Sequence, residues 1–269
     1  MRARINGVEL HYEVTGEGPT VALTHGLGGC GDDWAPIVPG LAHDFRVLTW
    51  DVRGMGASEK NPAVEYSVAQ FASDLAGLLD HIGAERAFLM GTSMGGTITQ
   101  RFLLDFPGRA LAAVICSTSS QVSARARDAW LAQADLIERE GTAAWVRRGR
   151  APHMTEDWLN EHPEALAEEA RRTEQNRDAA VFAQATRAVA DYSYTEELTS
   201  LTVPALVLVG AEDTSTPPGG SVIIARAIPG ARLHILDGLG HALYREAPEK
   251  VLSLVVPFLT GVAQTAAVA

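Results

Sequence analysis

The stretch Gly91-Thr92-Ser93-Met94-Gly95-Gly96 decides the fold class, because an apolar run precedes it and a helical pattern follows it. Residues 87–90 have the composition of a buried strand, and residues 97–106 have that of a helix. A glycine-flanked serine between a strand and a helix indicates a sharp, strained turn that exposes the hydroxyl at the helix N-terminus. The alternative is a glycine-rich turn with a capping serine. We predict that Ser93 is a nucleophile.

Apolar runs on both sides of this stretch predict a mostly parallel sheet. Near the start, Asn6-Gly7 separates two alternating segments and predicts a β-hairpin. The later runs are continuously apolar and alternate with helical patterns, which is typical of strands buried on both faces. These runs are Val21–Thr24, Phe45–Trp50, Ala87–Met90, Leu111–Cys116, Val203–Val209 and Leu233–Leu236. The sequence therefore predicts the α/β class.

Residues 119–198, which we call the insertion, interrupt this rhythm because they contain no strand-like run. Helical patterns cover residues 124–140, 142–150, 164–177 and 179–190. We predict a core formed by residues 1–118 and 199–269, with the insertion as a helical lid. Ligands of an open parallel sheet bind at the carboxyl ends of its strands, so a lid leaving from such an end would cover the site. A separate helical domain with another role is the alternative.

Two later strand ends supply a base and an acid, which a serine needs to become a good nucleophile. Asp213 follows one predicted strand, and His241 lies in the loop after the next. Neighbouring parallel strands would bring the two loops together. We expect His241 to take the proton of Ser93 and Asp213 to hold the imidazole in its tautomer.

Other charged residues near the strand ends have structural interpretations. Glu212 and Asp237 are the rival acids. Glu212 alternates to the other side of its strand end, and Asp237 is expected in a turn, so Asp213 is favoured. After the second core strand, an ion pair of Asp51 with Arg53 is predicted to hold a tight loop.

The glycine-rich stretch His25-Gly26-Leu27-Gly28-Gly29 follows the first core strand and predicts an oxyanion hole. Its glycines let backbone N–H groups point into a cavity. We expect the N–H groups of Leu27 and Met94 to bind the oxyanion, and one such donor is worth ~3 kcal/mol in the transition state. His25 is expected to brace the loop and not to act as a base.

Composition limits the classes of function. The chain has 269 residues, which fits one large domain, and its 33 acidic against 22 basic residues argue against a nucleic-acid partner. Cys30 and Cys116 form no CxxC pair, which argues against a disulfide framework or a zinc site and favours a reducing compartment. Residues 1–18 lack the apolar run of a signal peptide, and polar residues interrupt the C-terminal stretch. We expect a cytoplasmic protein that needs no cofactor, metal or membrane.

Five motifs together resemble the α/β-hydrolase family along nearly the whole chain: HGLGG at 25–29, DVRGMGAS at 51–58, GTSMGG at 91–96, GAED at 210–213 and GLGHAL at 238–243. The run HGLGGCGDDW at 25–34 and Ala144-Trp145 are similar to small bacterial 3-oxoadipate enol-lactonases and aminoacrylate/carbamate hydrolases. The resemblance implies an eight-stranded, mostly parallel sheet with helices on both faces and a helical lid after the sixth strand.

Departures from family patterns exclude some classes of relative and weaken the likeness to others. Ser93 stands where epoxide hydrolases and haloalkane dehalogenases of this family have Asp. The ring-cleavage C–C bond hydrolases usually have Asn and Trp where this chain has Thr92 and Ala242. Prolyl aminopeptidases typically have Trp where this chain has Met94.

The expected function is hydrolysis of small carboxylic esters or (enol-)lactones by Ser93, His241 and Asp213 through an acyl-enzyme. One alternative is hydrolysis of a C–C bond in β-diketones or vinylogous acids. Another is a receptor-like protein that binds a ligand and has only vestigial hydrolysis. The partner expected is a small-molecule substrate, and a homodimer is left open.

Three tryptophans of the insertion, Trp130, Trp145 and Trp158, are large apolar surfaces in a segment of modest hydrophobicity. Each could bury on the order of 200 Å². They either fasten the insertion to the core, or at least one of them faces the cavity and shapes the roof over the substrate.

Overall fold

The computed structural model describes residues 1–142, 153–168 and 178–268. Its strands form one eight-stranded sheet in the order β1-β2-β4-β3-β5-β6-β7-β8. They are β1 (Arg2–Ile5), β2 (Val8–Thr15), β3 (Thr20–Thr24), β4 (Arg46–Trp50), β5 (Ala87–Thr92), β6 (Ala110–Cys116), β7 (Ala205–Gly210) and β8 (Arg232–Leu236). β2 pairs antiparallel with β1 and β4, and the other neighbours are parallel. The predicted mostly parallel sheet is confirmed.

The predicted hairpin joins the first two strands. Asn6 and Gly7 both have positive φ angles, of 46° and 83°. Two such residues form the tight turn whose twist matches that of the flanking strands. The pairing of Ile5 with Val8 leaves only those two residues in the turn.

Helices cover both faces of the sheet. They are α1 (Val38–Leu41), α2 (Val68–His81), α3 (Met94–Asp105), α4 (Ala124–Glu140), α5 (Glu156–Glu161), α6 (Ala179–Ala188), α7 (Pro218–Ala227), α8 (Leu243–Glu246) and α9 (Pro248–Val268). One apolar cluster joins α2, α3 and α7 to the first face, and another joins α1, α8 and α9 to the second. Along β3, Ala22 belongs to the first cluster, whereas Val21 and Leu23 belong to the second, as strand alternation requires. In the part of the chain that is described, no helix is long and apolar enough to cross a membrane.

In the described residues, the insertion forms helices joined by turns and irregular segments, and it contains no β-strand. The predicted helix over residues 124–140 coincides with α4, and that over 179–190 ends at Ala188. α5 was not predicted, and residues 164–168 are also helical. Residues 143–150 of one predicted helix and 169–177 of another lie outside the described residues. An antiparallel bridge between Gln121 and Ser193 joins the two ends of the insertion.

The predicted ion pair of Asp51 with Arg53 is wrong. Arg53 instead binds Asp74 of α2 through two hydrogen bonds, of 2.5 Å from Nε and 2.6 Å from Nη2. Asp51 accepts the N–H groups of Gly31 and Ala57 at 2.6 and 2.7 Å, so it fastens two loops. Both members of the Arg53–Asp74 pair are buried, and a buried guanidinium needs a carboxylate with matching fork geometry.

Candidate active site

Ser93 occupies the sharp turn between β5 and α3. Its φ of 54° and ψ of −121° lie in a region that favours glycine. Such a conformation costs on the order of 1–3 kcal/mol and persists only where the surroundings impose it. Here the N–H of Ser93 donates to the carbonyl of Cys116 at 3.0 Å, and its own carbonyl accepts from Thr97 at 3.1 Å. The turn therefore holds the serine at the carboxyl edge of the sheet.

Two glycines make this turn sterically feasible. A Cβ on Gly91 would lie 2.1 Å from the carbonyl oxygen of Gly95, and a Cβ on Gly95 would lie 2.0 Å from that of Thr24. Both contacts are with backbone, which cannot move aside. A Cβ on Gly26 would lie 3.3 Å from the Cβ of Ser93, so the predicted oxyanion loop passes directly beside the serine.

His241 and Asp213 are hydrogen-bonded to each other. Nδ1 of His241 lies 2.8 Å from Oδ2 of Asp213, and both side chains are buried. Oδ1 of Asp213 accepts the N–H groups of Ser215 and Thr216 at 2.9 and 2.8 Å. Because Nδ1 is engaged, Nε2 is the nitrogen of His241 left to exchange a proton with a serine.

The environment of Asp213 favours its charged form. Burial alone would raise the pKa of Asp213. The hydrogen bond and the charge of His241, together with the hydrogen bonds from Thr216, lower the pKa by more than burial raises it. The net effect holds the pKa of this carboxyl below its ordinary value. The rival acids Glu212 and Asp237 are exposed, so the acid that contacts the imidazole is Asp213.

The three predicted catalytic residues follow strand ends at one edge of the sheet. Ser93 follows β5, Asp213 follows β7 and His241 follows β8. No hydrogen bond between Ser93 and His241 is found within the described residues. Catalytic hydrogen bonds are often long before substrate binds, so a missing bond does not exclude Ser93. The role of Ser93 is a prediction that rests on its turn and on the sheet edge it shares with His241 and Asp213.

Leu27 and Met94 have backbone N–H groups with no acceptor among the described residues. Met94 is the first residue of α3, where an N–H has no partner within the helix. The N–H of Gly29 instead donates to the carbonyl of Gly26 at 3.0 Å. An anion would therefore not have to displace an existing partner of either N–H group.

His25 braces the loop, as predicted. Its Nε2 accepts the N–H of Val52 at 3.0 Å, and its Nδ1 lies 2.7 Å from the carbonyl oxygen of Gly26. These partners require the proton on Nδ1, and the ring is fully buried. With both nitrogens engaged, His25 has no atom with which to act as a base.

Sequence reasoning missed Thr216, which contacts both members of the acid–base pair. Its hydroxyl donates to Oδ2 of Asp213 at 3.0 Å and lies 3.3 Å from Nδ1 of His241. The N–H of Ser215 donates back to Asp213, two residues earlier, which is an Asx-turn. An Asp followed two and three residues later by Ser and Thr was the signal that could have identified it.

The insertion contacts two of the loops at this edge. The carbonyl of His153 accepts the N–H groups of His241 and Ala242, and the rings of the two histidines are 5.1 Å apart. Leu27 packs against an apolar cluster of α4 and α6. The described part of the insertion therefore reaches the loop of His241 and the loop of Leu27.

The tryptophans of the insertion differ in what they contact. Trp158 is half-buried, stacks on His162 with ring centres 4.0 Å apart, and packs against an apolar cluster that includes Ala242. Trp130 on α4 is also half-buried. Trp145 lies outside the described residues. Because Ala242 follows His241, Trp158 packs next to the loop that carries His241.

No cluster of three or more His, Cys, Asp or Glu side chains that could hold a metal ion occurs within residues 1–142, 153–168 and 178–268. The thiols of Cys30 and Cys116 have pKa values raised to about 12 by burial. They are therefore protonated at neutral pH.

Comparison with known proteins identifies the family. The chain matches the model of the alpha/beta hydrolase fold over residues 19–248. A protein of Caulobacter sp. (strain K31), named as a candidate carbamate hydrolase (RutD), is 31% identical over 258 residues, covering 94% of this chain and 96% of the relative. A thermophilic esterase from Thermogutta terrifontis, solved with malate bound, is 29% identical with a TM-score of 0.91, covering 97% of this chain and 99% of the esterase. The enol-lactonase from Burkholderia xenovorans LB400 is 30% identical with a TM-score of 0.89, covering 97% of this chain and 100% of the lactonase. The chain belongs to the α/β-hydrolase fold family and is a hydrolase of that fold.

Proposed function

We propose that the protein is a serine hydrolase of small carboxylic esters or (enol-)lactones. The observation that carries the proposal is the buried hydrogen bond between Asp213 and His241 at the sheet edge where Ser93 occupies a strained turn. A base oriented by a carboxylate, at the same sheet edge as a partly exposed serine, is the arrangement that can activate a hydroxyl for attack on a carbonyl carbon.

The reaction proceeds in two halves. Ser93 Oγ attacks the carbonyl carbon while Nε2 of His241 takes the hydroxyl proton, and the N–H groups of Leu27 and Met94 bind the oxyanion. Collapse breaks the C–O bond, and His241 returns the proton to the leaving alkoxide or enolate. Water then attacks the acyl-enzyme with His241 again as base, and the acid and free Ser93 are released. In a lactone, acid and alcohol stay in one product.

Support for esters and lactones comes from the esterase and the enol-lactonase that resemble this chain over at least 97% of its length. Carbamate hydrolysis is the second candidate, because the relative with 31% identity is named for that activity. The same residues would attack a carbamate carbonyl and form a carbamoyl-enzyme. Resonance with nitrogen makes that carbonyl less electrophilic, so ester and lactone substrates are favoured.

The test measures turnover by the wild-type protein and by Ser93→Ala. The substrates are p-nitrophenyl acetate, a γ-lactone, an enol-lactone and an alkyl carbamate. We expect turnover of at least one ester or lactone, and a loss of several orders of magnitude in Ser93→Ala. Ser253→Ala, an exposed serine of α9, is the matched control and should keep full activity. Retained turnover in Ser93→Ala on every substrate would refute the nucleophile. Turnover of the carbamate alone would favour the second candidate.

A further inference from the structure

The loop that carries His241 is fastened to the insertion through backbone hydrogen bonds. The carbonyl oxygen of His153 accepts the N–H of His241 at 2.7 Å and the N–H of Ala242 at 2.9 Å. One acceptor therefore fixes two successive peptide units, including that of the base. Movement of His153 would move the backbone from which the imidazole projects.

The carboxylate of Glu246 forms a second bridge between the same two segments. Oε1 and Oε2 accept the N–H of Gly240 at 3.0 and 3.1 Å, and Oε2 also accepts the N–H of Thr155 at 2.9 Å. Hydrogen bonds to an ionised carboxylate are stronger than neutral ones. Glu246 lies in α8, directly after the base loop, whereas Thr155 precedes α5 of the insertion.

Close packing completes this junction. Met154, between the two bridging residues of the insertion, is buried and belongs to one apolar cluster with Ala242. A Cβ on Gly240 would lie 3.1 Å from the carbonyl oxygen of His153 and 3.2 Å from the nitrogen of Thr155. The absence of a side chain at Gly240 is what lets the two backbones lie so close.

We propose that Glu246 is a positioning residue, which couples the seating of insertion residues 153–155 to the position of His241. It contacts backbone N–H groups and no reacting atom, so it acts only through the base. The inference rests on the proposed serine hydrolysis. A substrate that displaces the insertion would thereby move the base, which makes the insertion a determinant of turnover as well as of binding.

The proposal has a kinetic signature that loss of folded protein does not share. His241 takes the proton of Ser93 and then gives a proton to the leaving group. A p-nitrophenolate leaves without that proton, whereas the alkoxide of an alkyl ester or lactone needs it. A misplaced imidazole should therefore impair poor leaving groups more than good ones. A lower folded fraction would reduce both rates by the same factor.

The first experiment compares Glu246→Gln with Glu249→Gln, which makes the same charge change at an exposed position in the first turn of α9. The amide has one acceptor oxygen, and its NH2 group opposes the N–H of Gly240 or Thr155. For Glu246→Gln we expect kcat to fall about 10-fold with p-nitrophenyl acetate and about 100-fold with an alkyl ester or lactone that the wild type accepts, with KM within about twofold. Glu249→Gln should match the wild type.

Amide hydrogen exchange supplies a readout that does not depend on activity. In the wild type, the peptide covering residues 239–243 should exchange slowly, and Glu246→Gln should accelerate it at least about 10-fold. Met154→Ala, which loosens the packing and leaves Glu246 in place, should accelerate the same peptide and lower kcat in the same direction. This variant keeps the test informative if Glu246→Gln folds poorly.

Equal rate losses for good and poor leaving groups, or unchanged exchange of residues 239–243 in both variants, would overturn the coupling. A wild-type protein that hydrolyses no ester, lactone or carbamate would instead overturn the proposed function. The exchange measurement would still decide whether the bridge exists, so the two failures are distinguishable.

Discussion

Replacing Asp213 by Asn tests the acid, and the structure predicts which way the new amide would turn. Oδ1 of Asp213 accepts two N–H groups, from Ser215 at 2.9 Å and Thr216 at 2.8 Å. Two donors at this position require an acceptor, so the amide oxygen of Asn should occupy it. The NH2 group then takes the place of Oδ2, which lies 2.8 Å from Nδ1 of His241.

This orientation would put His241 in the wrong tautomer. An NH2 group beside Nδ1 requires Nδ1 to accept, which moves the imidazole proton to Nε2. A protonated Nε2 cannot take the proton of Ser93, so kcat should fall by up to ~10⁴, or about 5.4 kcal/mol of transition-state stabilisation. The fold should persist, because Asn has the volume of Asp and two of the hydrogen bonds survive.

The assay measures kcat and KM from pH 5 to 9 with the best ester found for the wild type, alongside thermal unfolding. Asp237→Asn is the matched control, because Asp237 is exposed and precedes His241 in the same loop. We expect a large kcat loss and a small change of KM in Asp213→Asn, and neither in the control. A mild loss of kcat in Asp213→Asn, together with a severe loss in Asp237→Asn or Glu212→Gln, would refute the assignment of the acid.

Three further predictions concern charge, stability and the insertion. The pKa of Asp213 is lower in the folded state than in the unfolded chain, so its charge stabilises the fold above the unfolded pKa, and that contribution disappears as pH falls through the folded pKa. In urea unfolding, the stability difference between wild type and Asp213→Asn should therefore shrink from pH 7 to pH 3. A difference that stays constant over this range would contradict the prediction. Asp74→Ala leaves the buried charge of Arg53 unpaired and should lower the free energy of unfolding by about 3–5 kcal/mol, as measured by chemical unfolding. The double change Asp74→Leu with Arg53→Met should lower it by less. Equal losses would show that the unpaired charge is not the cause. Trp158→Ala should alter KM. Because Trp158 is half-buried, the change should lower Tm by less than the loss of a fully buried tryptophan would. A lower Tm with an unchanged preference among acyl groups would show that Trp158 only fastens the insertion to the core.

Local patterns in the sequence predicted the sheet and the turn at Ser93, but they placed the start of the following helix too late. The helix was predicted from Thr97, whereas α3 begins at Met94. Thr97 is the first residue whose N–H finds a helical acceptor, the carbonyl of Ser93. The preceding glycines have low helix propensity, which hides the helix start from the sequence pattern. The structure needs a glycine here for close packing, because a Cβ on Gly96 would lie 2.6 Å from Cγ2 of Thr118.

Partners that are distant along the chain escaped the sequence. Arg53 was assigned to Asp51 because the two are neighbours in sequence, but its partner Asp74 is 21 residues away on α2. Glu246 and Thr155 are 91 residues apart, and neither lies in a pattern that predicts the other. Hydrophobic periodicity determines which face of an element is buried, whereas the partner of a polar side chain depends on how elements are placed in three dimensions.

The parts of the site are held in place to different degrees, and the sheet explains why. Ser93 follows β5, which has paired strands on both sides, and its turn is enclosed by backbone contacts at the flanking glycines. His241 follows β8, which is an edge strand and, among the described strands, pairs with β7 alone. A loop after an edge strand has fewer neighbours to fix it. The hydrogen bonds that this loop donates to Asp213, to the carbonyl of His153 and to Glu246 provide the constraint that the sheet does not. Substitutions around Ser93 should therefore disturb folding first, whereas substitutions in the insertion should first change the position of His241.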